Sequence, residues 1–222
     1  VDGSFSPAVN TIYDTLRDRI IALDLMPGAP LSPAQIRQQF ATSATPVRDA
    51  LRALQEEGLV EIKPQSATRV SRIDLSQAVQ MHFLRSTLEQ AIIAQIASSA
   101  AARVHPELAS IVDLQRECVQ QSELAGFRRL DFRFHETLFR VTNRMALHRL
   151  VRRESGHIDR IRSLHLPRAD KAEQIISDHA AIVDALRAQD PEQARAAMAQ
   201  HLSHSVALGP ELKAEFPGLF VA

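Results

Sequence analysis

What this chain has little of narrows it first. One cysteine, Cys118, stands among 222 residues. That excludes an internal disulfide and a cysteine-rich zinc finger, and it fits a reducing compartment. Net charge is absent, since 26 Lys and Arg balance 26 Asp and Glu. Residues 1–72 repeat the balance, with eight of each sign. Any contact with nucleic acid must then rest on the placement of single arginines and helix N-termini, because there is no bulk basic field. No apolar run approaches the roughly 20 residues that cross a bilayer. No signal-peptide pattern opens the chain, and Val1 to Ser6 read as a loose end. The expectation is a soluble, cytoplasmic protein with no membrane partner. Internal repeats, low-complexity segments, a Gly-rich phosphate loop and a serine nucleophile elbow are also missing. What remains is a chain 45% hydrophobic, enough for a real core and long enough for two domains.

The stretch from Ser43 to Val60 organises the first part. Ser43 or Thr45 can cap a helix start, and Pro46 suits a first turn where its missing N–H has no partner. Val47, Ala50, Leu51 and Leu54 recur at helical spacing and form one apolar face. Arg48 and Arg52 point outward, one turn apart. Gly58 can take the left-handed conformation that ends the helix. Such a helix has a shape that fits a DNA groove, and it would equally serve as an ordinary amphipathic surface helix.

Its neighbours favour the first reading. Val9 to Leu23 reads as a helix, broken by the turn Met26-Pro27-Gly28-Ala29-Pro30. Ser32-Pro33 begins a second helix that runs to about Phe40. After Gly58, Leu59 to Ile62 and Thr68 to Ser71 alternate apolar and polar residues and predict a hairpin, with Lys63 to Ala67 between them. Helix, helix, turn, helix and hairpin make a winged helix-turn-helix. Beyond Arg72 no further strand pattern appears. Helical stretches follow at about 75–101, 106–124, 125–142, 145–165, 169–189 and 191–208, and the tail after Leu208 reads as poorly ordered. Short connections imply an antiparallel six-helix bundle. The fold is therefore mainly α, with residues 1–72 as a DNA-binding domain and 73–222 as an all-helical domain.

All nine histidines lie beyond Arg72. Asp131 and His135 are four apart and project from one helix face. His179 and His201 lie on two later helices, each flanked by apolar residues at helical spacing. One carboxylate and three imidazoles meeting in a bundle core can hold a divalent transition metal, with Zn, Ni or Mn suited to that donor set. Spacing alone leaves the fourth ligand open, because His204 is one turn from His201. A metal-dependent hydrolase is the competing reading. It finds little support: His135-Glu136-Thr137-Leu138-Phe139 has Phe139 where the zinc-protease helix needs its second histidine. No general base is poised beside the cluster.

Together the two halves resemble the GntR family of bacterial transcription regulators, in its FadR-like branch with an all-helical FCD ligand domain. The carriers are Leu25-Met26-Pro27-Gly28-Ala29-Pro30-Leu31, Ser43 to Leu51, and Glu57-Gly58-Leu59-Val60, then Arg85 with Glu89, Asp131 with His135, Asn143, His179 and His201. The resemblance implies a repressor-like regulator rather than an enzyme. A homodimer would grip a palindromic double-stranded operator through Ser43, Thr45, Arg48, Arg52 and Arg69. The resemblance places a divalent metal, zinc first, on Asp131, His135, His179 and His201, which selects His201 over His204. A small carboxylate effector would meet Arg85, Asn143 and Arg160. The chain departs from the family pattern at Ala34, at Ala44 and in a wing tip without glycine. Fewer arginine contacts to DNA are expected in consequence.

Overall fold

The computed structural model describes residues 6–63, 67–168 and 170–222. The expected wing tip, Pro64 to Ser66, and the opening Val1 to Phe5 lie outside the described residues. The chain forms two compact units. One comprises Val1–Ala78, Arg153–Leu164 and Gly209–Ala222; the other comprises Val79–Arg152 and His165–Leu208.

In the first unit, α1 (Pro7–Ile21), α2 (Pro33–Gln39) and α3 (Ala44–Glu56) bury one apolar face each. Val9, Ile12, Leu16 and Ile20 meet Ile36, Val47, Leu51 and Leu54 in a shared core. Ser6 and Ser32 cap α1 and α2 by accepting from Val9 and Gln35 amides, and a proline follows each cap. Gly58 ends α3 at φ +70°, and Leu59 N–H reaches back to Leu54 C=O at 2.9 Å. The hairpin expected from the sequence is present as β2 (Val60–Glu61) and β3 (Thr68–Val70). A third strand, β1 (Pro30–Leu31), adds to the far side of β3, giving the antiparallel order β1-β3-β2. Two residues carry too little alternation for a sequence to reveal.

The second unit is helical. It holds most of α4 (Leu75–Ala97), a 3₁₀ segment at Ala100–Val104, α5 (His105–Gln120), α6 (Leu124–Val141), α7 (Met145–Glu154), α9 (Lys171–Arg187) and α10 (Pro191–Ala207). Ile93, Leu108, Phe127, Phe134, Leu138, Ile182, Leu186 and Met198 fill its core.

Two expectations change. The helix read over 145–165 is two helices, because the chain breaks at Ser155 and α8 (Gly156–His165) starts afresh. Gly156 permits a close approach to Leu59, where a Cβ would come 2.6 Å from Leu59 Cδ2. The tail is ordered rather than loose. It forms α11 (Gly209–Glu215) and a 3₁₀ turn at Pro217–Leu219. Pro210 and Pro217 stand in opening turns, where proline is tolerated. Phe220 is buried and bridges Ile73 in parallel, with Ile73 N–H bonded to Leu219 C=O at 2.8 Å.

Candidate functional site

Two groups of side chains stand out, one in each unit. In the first, α3 buries Val47, Ala50, Leu51, Ala53 and Leu54 and turns Arg48 and Arg52 outward, with side chains 76% and 77% exposed. Arg48 lies 3.7 Å from Asp49, and Arg52 lies 3.7 Å from Glu56. Such exposed pairs are worth little and release their arginines readily. Ser43 is the N-cap residue, but its side chain makes no capping bond. Thr45 is exposed beside it. Arg69 is exposed on β3, and its Nη1 donates to Gly28 C=O at 3.1 Å. The inward end of α3 is fixed instead: Glu57 accepts from Tyr13 Oη, and from Arg17 Nε at 3.0 Å.

In the second unit, Asp131 and His135 project from α6, His179 from α9 and His201 from α10. All four are buried, and one ligand atom from each lies within 4.8 Å of all the others. His135 Nε2 and His201 Nε2 are 3.2 Å apart. Two nitrogens bound tetrahedrally to one zinc would stand about 3.3 Å apart. His179 Nε2 lies 3.8 Å from Asp131 Oδ1.

The far side of each ring is also occupied. His135 Nδ1 is 2.5 Å from Glu89 Oε2, and Arg85 Nε donates to Glu89 Oε1 at 2.6 Å. Burial alone would raise the Glu89 pKa, but Arg85 and His135 hold the carboxyl well below its usual range. Burial pushes His135 down to about 4, although Glu89 pulls it upward. The pair is therefore a neutral imidazole donating Nδ1–H to a carboxylate, with the Nε2 lone pair left facing the cluster. His179 Nδ1 meets Gln115 Oε1 at 2.8 Å, and Phe134 stacks on its ring at a centroid distance of 3.9 Å. His201 Nδ1 lies 3.6 Å from Asp178 Oδ2, and His204 Nε2 approaches the same oxygen at 3.3 Å. Acceptors behind metal-binding imidazoles fix the ring orientation and the tautomer, as Glu89 and Gln115 do here, whereas Asp178 stands beyond hydrogen-bond reach of His201. The donor set and its backing fit a divalent transition metal.

The other expected effector residues divide. Arg85 is drawn to the cluster through Glu89. Asn143 is exposed at the end of α6 with φ 56°, and its N–H bonds Arg140 C=O at 3.1 Å, a helix-ending role. Arg160 belongs to the first unit, where it bonds Ser71, Gly156 and His157. Gln115 and Asp178 went unread in the sequence. The first had a signal, because it continues the apolar stripe Leu108, Ile111, Val112 on α5.

Residues 8–70 match the family described as bacterial regulatory proteins, gntR family, and residues 80–204 match the FCD domain. The chain belongs to the GntR family of DNA-binding transcription regulators, with a C-terminal FCD domain. It is 32% identical over 209 residues to an uncharacterised HTH-type transcriptional regulator of Streptomyces ambofaciens, covering 94% of this chain and 88% of that one. It is 29% identical over 196 residues to the HTH-type transcriptional repressor RspR of Escherichia coli K12, covering 88% and 86%. The solved structure of E. coli McbR/YncC shares the fold, with a TM-score of 0.79 over 94% of this chain and 99% of that one at 18% identity. The GntR chain is a regulator, not an enzyme, as its family match and relatives show, and among its described residues no helix is long and apolar enough to cross a membrane.

Proposed function

We propose that this GntR regulator is a cytoplasmic repressor whose grip on DNA is set by a small organic acid at a divalent metal. Residues 1–72 would read DNA, and 73–222 would sense the effector and dimerise. The observation that carries the reading is the convergence of Asp131, His135, His179 and His201, with Glu89, Gln115 and Asp178 behind the imidazoles. Asp131 and the three Nε2 atoms would hold the metal, zinc first and Ni or Mn next. When bound, it supplies a positive centre with open positions for a carboxylate. Arg85, held by Glu89, would pair with a second acidic group of the effector. The name of the relative RspR supports repression.

A homodimer would set two α3 helices in successive major grooves of a palindromic operator. Phe83 is 73% exposed, one turn from exposed Val79 on α4, and such an apolar face suits a second copy. On α3, Arg48 would grip a guanine through its fork, with Ser43 and Thr45 on phosphate and Arg52 and Arg69 beside them.

Elemental analysis of protein purified without added metal tests the first half. Near-stoichiometric divalent metal is expected, lost when His135 and His179 become Ala. Metal-free protein whose melting is unchanged by both substitutions would overturn the metal. Retardation of DNA fragments from around its own gene, at low salt, tests the second half. Arg48→Ala should weaken that binding by about 1–3 kcal/mol.

A further inference from the structure

Arg160 has none of its surface exposed, and no carboxylate pairs with it among the described residues. Its partners are neutral: Gly156 C=O at 3.1 Å, Ser71 C=O at 2.6 Å, Ser71 Oγ at 3.3 Å and His157 Nδ1 at 3.0 Å. Burying a cation against neutral acceptors is costly, and an apolar side chain would pack such a place more stably. What the guanidinium provides is a fork, which takes Ser71 by its carbonyl and its hydroxyl together. The Ser71 hydroxyl donates onward to Gly58 C=O at 2.5 Å, and the Ser71 N–H donates to Leu59 C=O at 2.9 Å. Gly58 is the residue that ends α3. One side chain of α8 therefore holds, through one serine, the end of the helix that bears Arg48 and Arg52.

His157 doubles the attachment. Its Nδ1 accepts from Asp74 N–H at 2.8 Å, and its Nε2 lies 3.3 Å from where a Cβ on Gly58 would stand. Gly156 brings the start of α8 against Leu59. The FCD match at 80–204 contains α8, yet α8 packs in the same compact unit as the gntR match at 8–70. Along the chain it lies between the ligand-bearing helices. Asp131 and His135 on α6 precede it by way of α7, and α9 with His179 follows from Lys171.

We propose that Arg160 is the positioning residue that carries the state of the Asp131–His135–His179–His201 cluster to the end of α3. Helix α8 is the lever, joined along the chain to α6 by way of α7 and directly to α9, and fastened by the Arg160 fork to Ser71. The inference rests on the metal and DNA readings above. It requires that the occupied and empty clusters set α8 differently, since only a difference between the two states can shift DNA affinity.

Hydrogen exchange on the full chain, stripped with chelator and then given Zn(II) alone, tests it without DNA. In the wild type, zinc should protect α6 and α9 and also change exchange at Gly58, Leu59 and Ser71. In Arg160→Lys, which keeps the charge and loses the fork, α6 and α9 should still respond while the α3 end does not. Ser71→Ala provides a milder second variant with the same expectation. Zinc that protects α6 and α9 but leaves the α3 end unchanged in the wild type would overturn the coupling alone. Variants whose α3 end responds as the wild type does would do the same. Zinc that leaves α6 and α9 unprotected would remove the metal reading and this inference with it. With retarded DNA as readout, a zinc effect of about tenfold in the wild type should fall close to unity in Arg160→Lys. Failure of every fragment to shift would count against the DNA reading while the exchange result still decides the coupling.

Discussion

The three imidazoles of the cluster differ in what stands behind them. Glu89 and Asp178 are carboxylates, whereas Gln115 is a neutral amide, fully buried on α5. Gln115→Leu keeps the volume and removes the acceptor of His179 Nδ1. Zinc affinity, measured by competition with a chromophoric chelator, should drop about 10–100-fold. An unchanged affinity would mean that Phe134 stacking alone orients the ring. The clustering of the four was legible, because Asp131 and His135 share a helical face and His179 and His201 stand among apolar neighbours. Their supports were not, except for Gln115 in an apolar stripe. Glu89 is 46 residues from His135 and Gln115 is 64 from His179, and no local period links such pairs. The burial of Arg160 was illegible for the same reason, because its partner Ser71 stands 89 residues earlier.

Elements were legible where a local rule sufficed. The ends of α2 and α3 followed from Ser32-Pro33 and from Gly58, and the hairpin followed from alternation. Gly58→Ala should cost about 1–2 kcal/mol by urea unfolding, because its φ of +70° is strained for any L side chain. The new methyl would also press on His157 Nε2. The break between α7 and α8 was illegible, since nothing local distinguishes Ser155-Gly156 from a tolerated helix interior. It goes with tertiary contacts: α8 sets Gly156 against Leu59 and Arg160 on Ser71. That helix also carries a pH dependence. Burial, with help from the Arg160 charge and against Asp74, lowers the His157 pKa from 6.5 to about 4. Between those values the unfolded chain binds the proton and the folded chain does not. The contribution is thus whole above pH 6.5 and is lost as the pH falls toward 4, at up to about 1.4 kcal/mol per pH unit. His157→Gln, which does not titrate, should flatten the acid limb of a stability–pH profile. An identical limb would place the titration elsewhere.

For the whole molecule, the route of the chain matters more than its order of domains. The first unit draws on three separate stretches, 1–78, 153–164 and 209–222. A fragment of residues 1–78 would lose the cover that Gly156 gives Leu59, the bridge from Phe220 to Ile73 and both bonds from Arg160 to Ser71. It should unfold at lower urea than the same residues within the full chain. Tyr13 reports this cleanly, being the one tyrosine in a chain without tryptophan. Equal midpoints would show that the later stretches add no stability. The bridge at Phe220 also bears on biosynthesis. Ribosomes release about 5–20 residues each second, and domains ordinarily close as they emerge. Here residues 1–78 gain their last supports only on the order of ten seconds later, when Phe220 appears. A nascent chain stalled before Phe220 would hold its N-terminal unit without that bridge, so a prematurely terminated product should be the more readily cleaved by protease within residues 1–78.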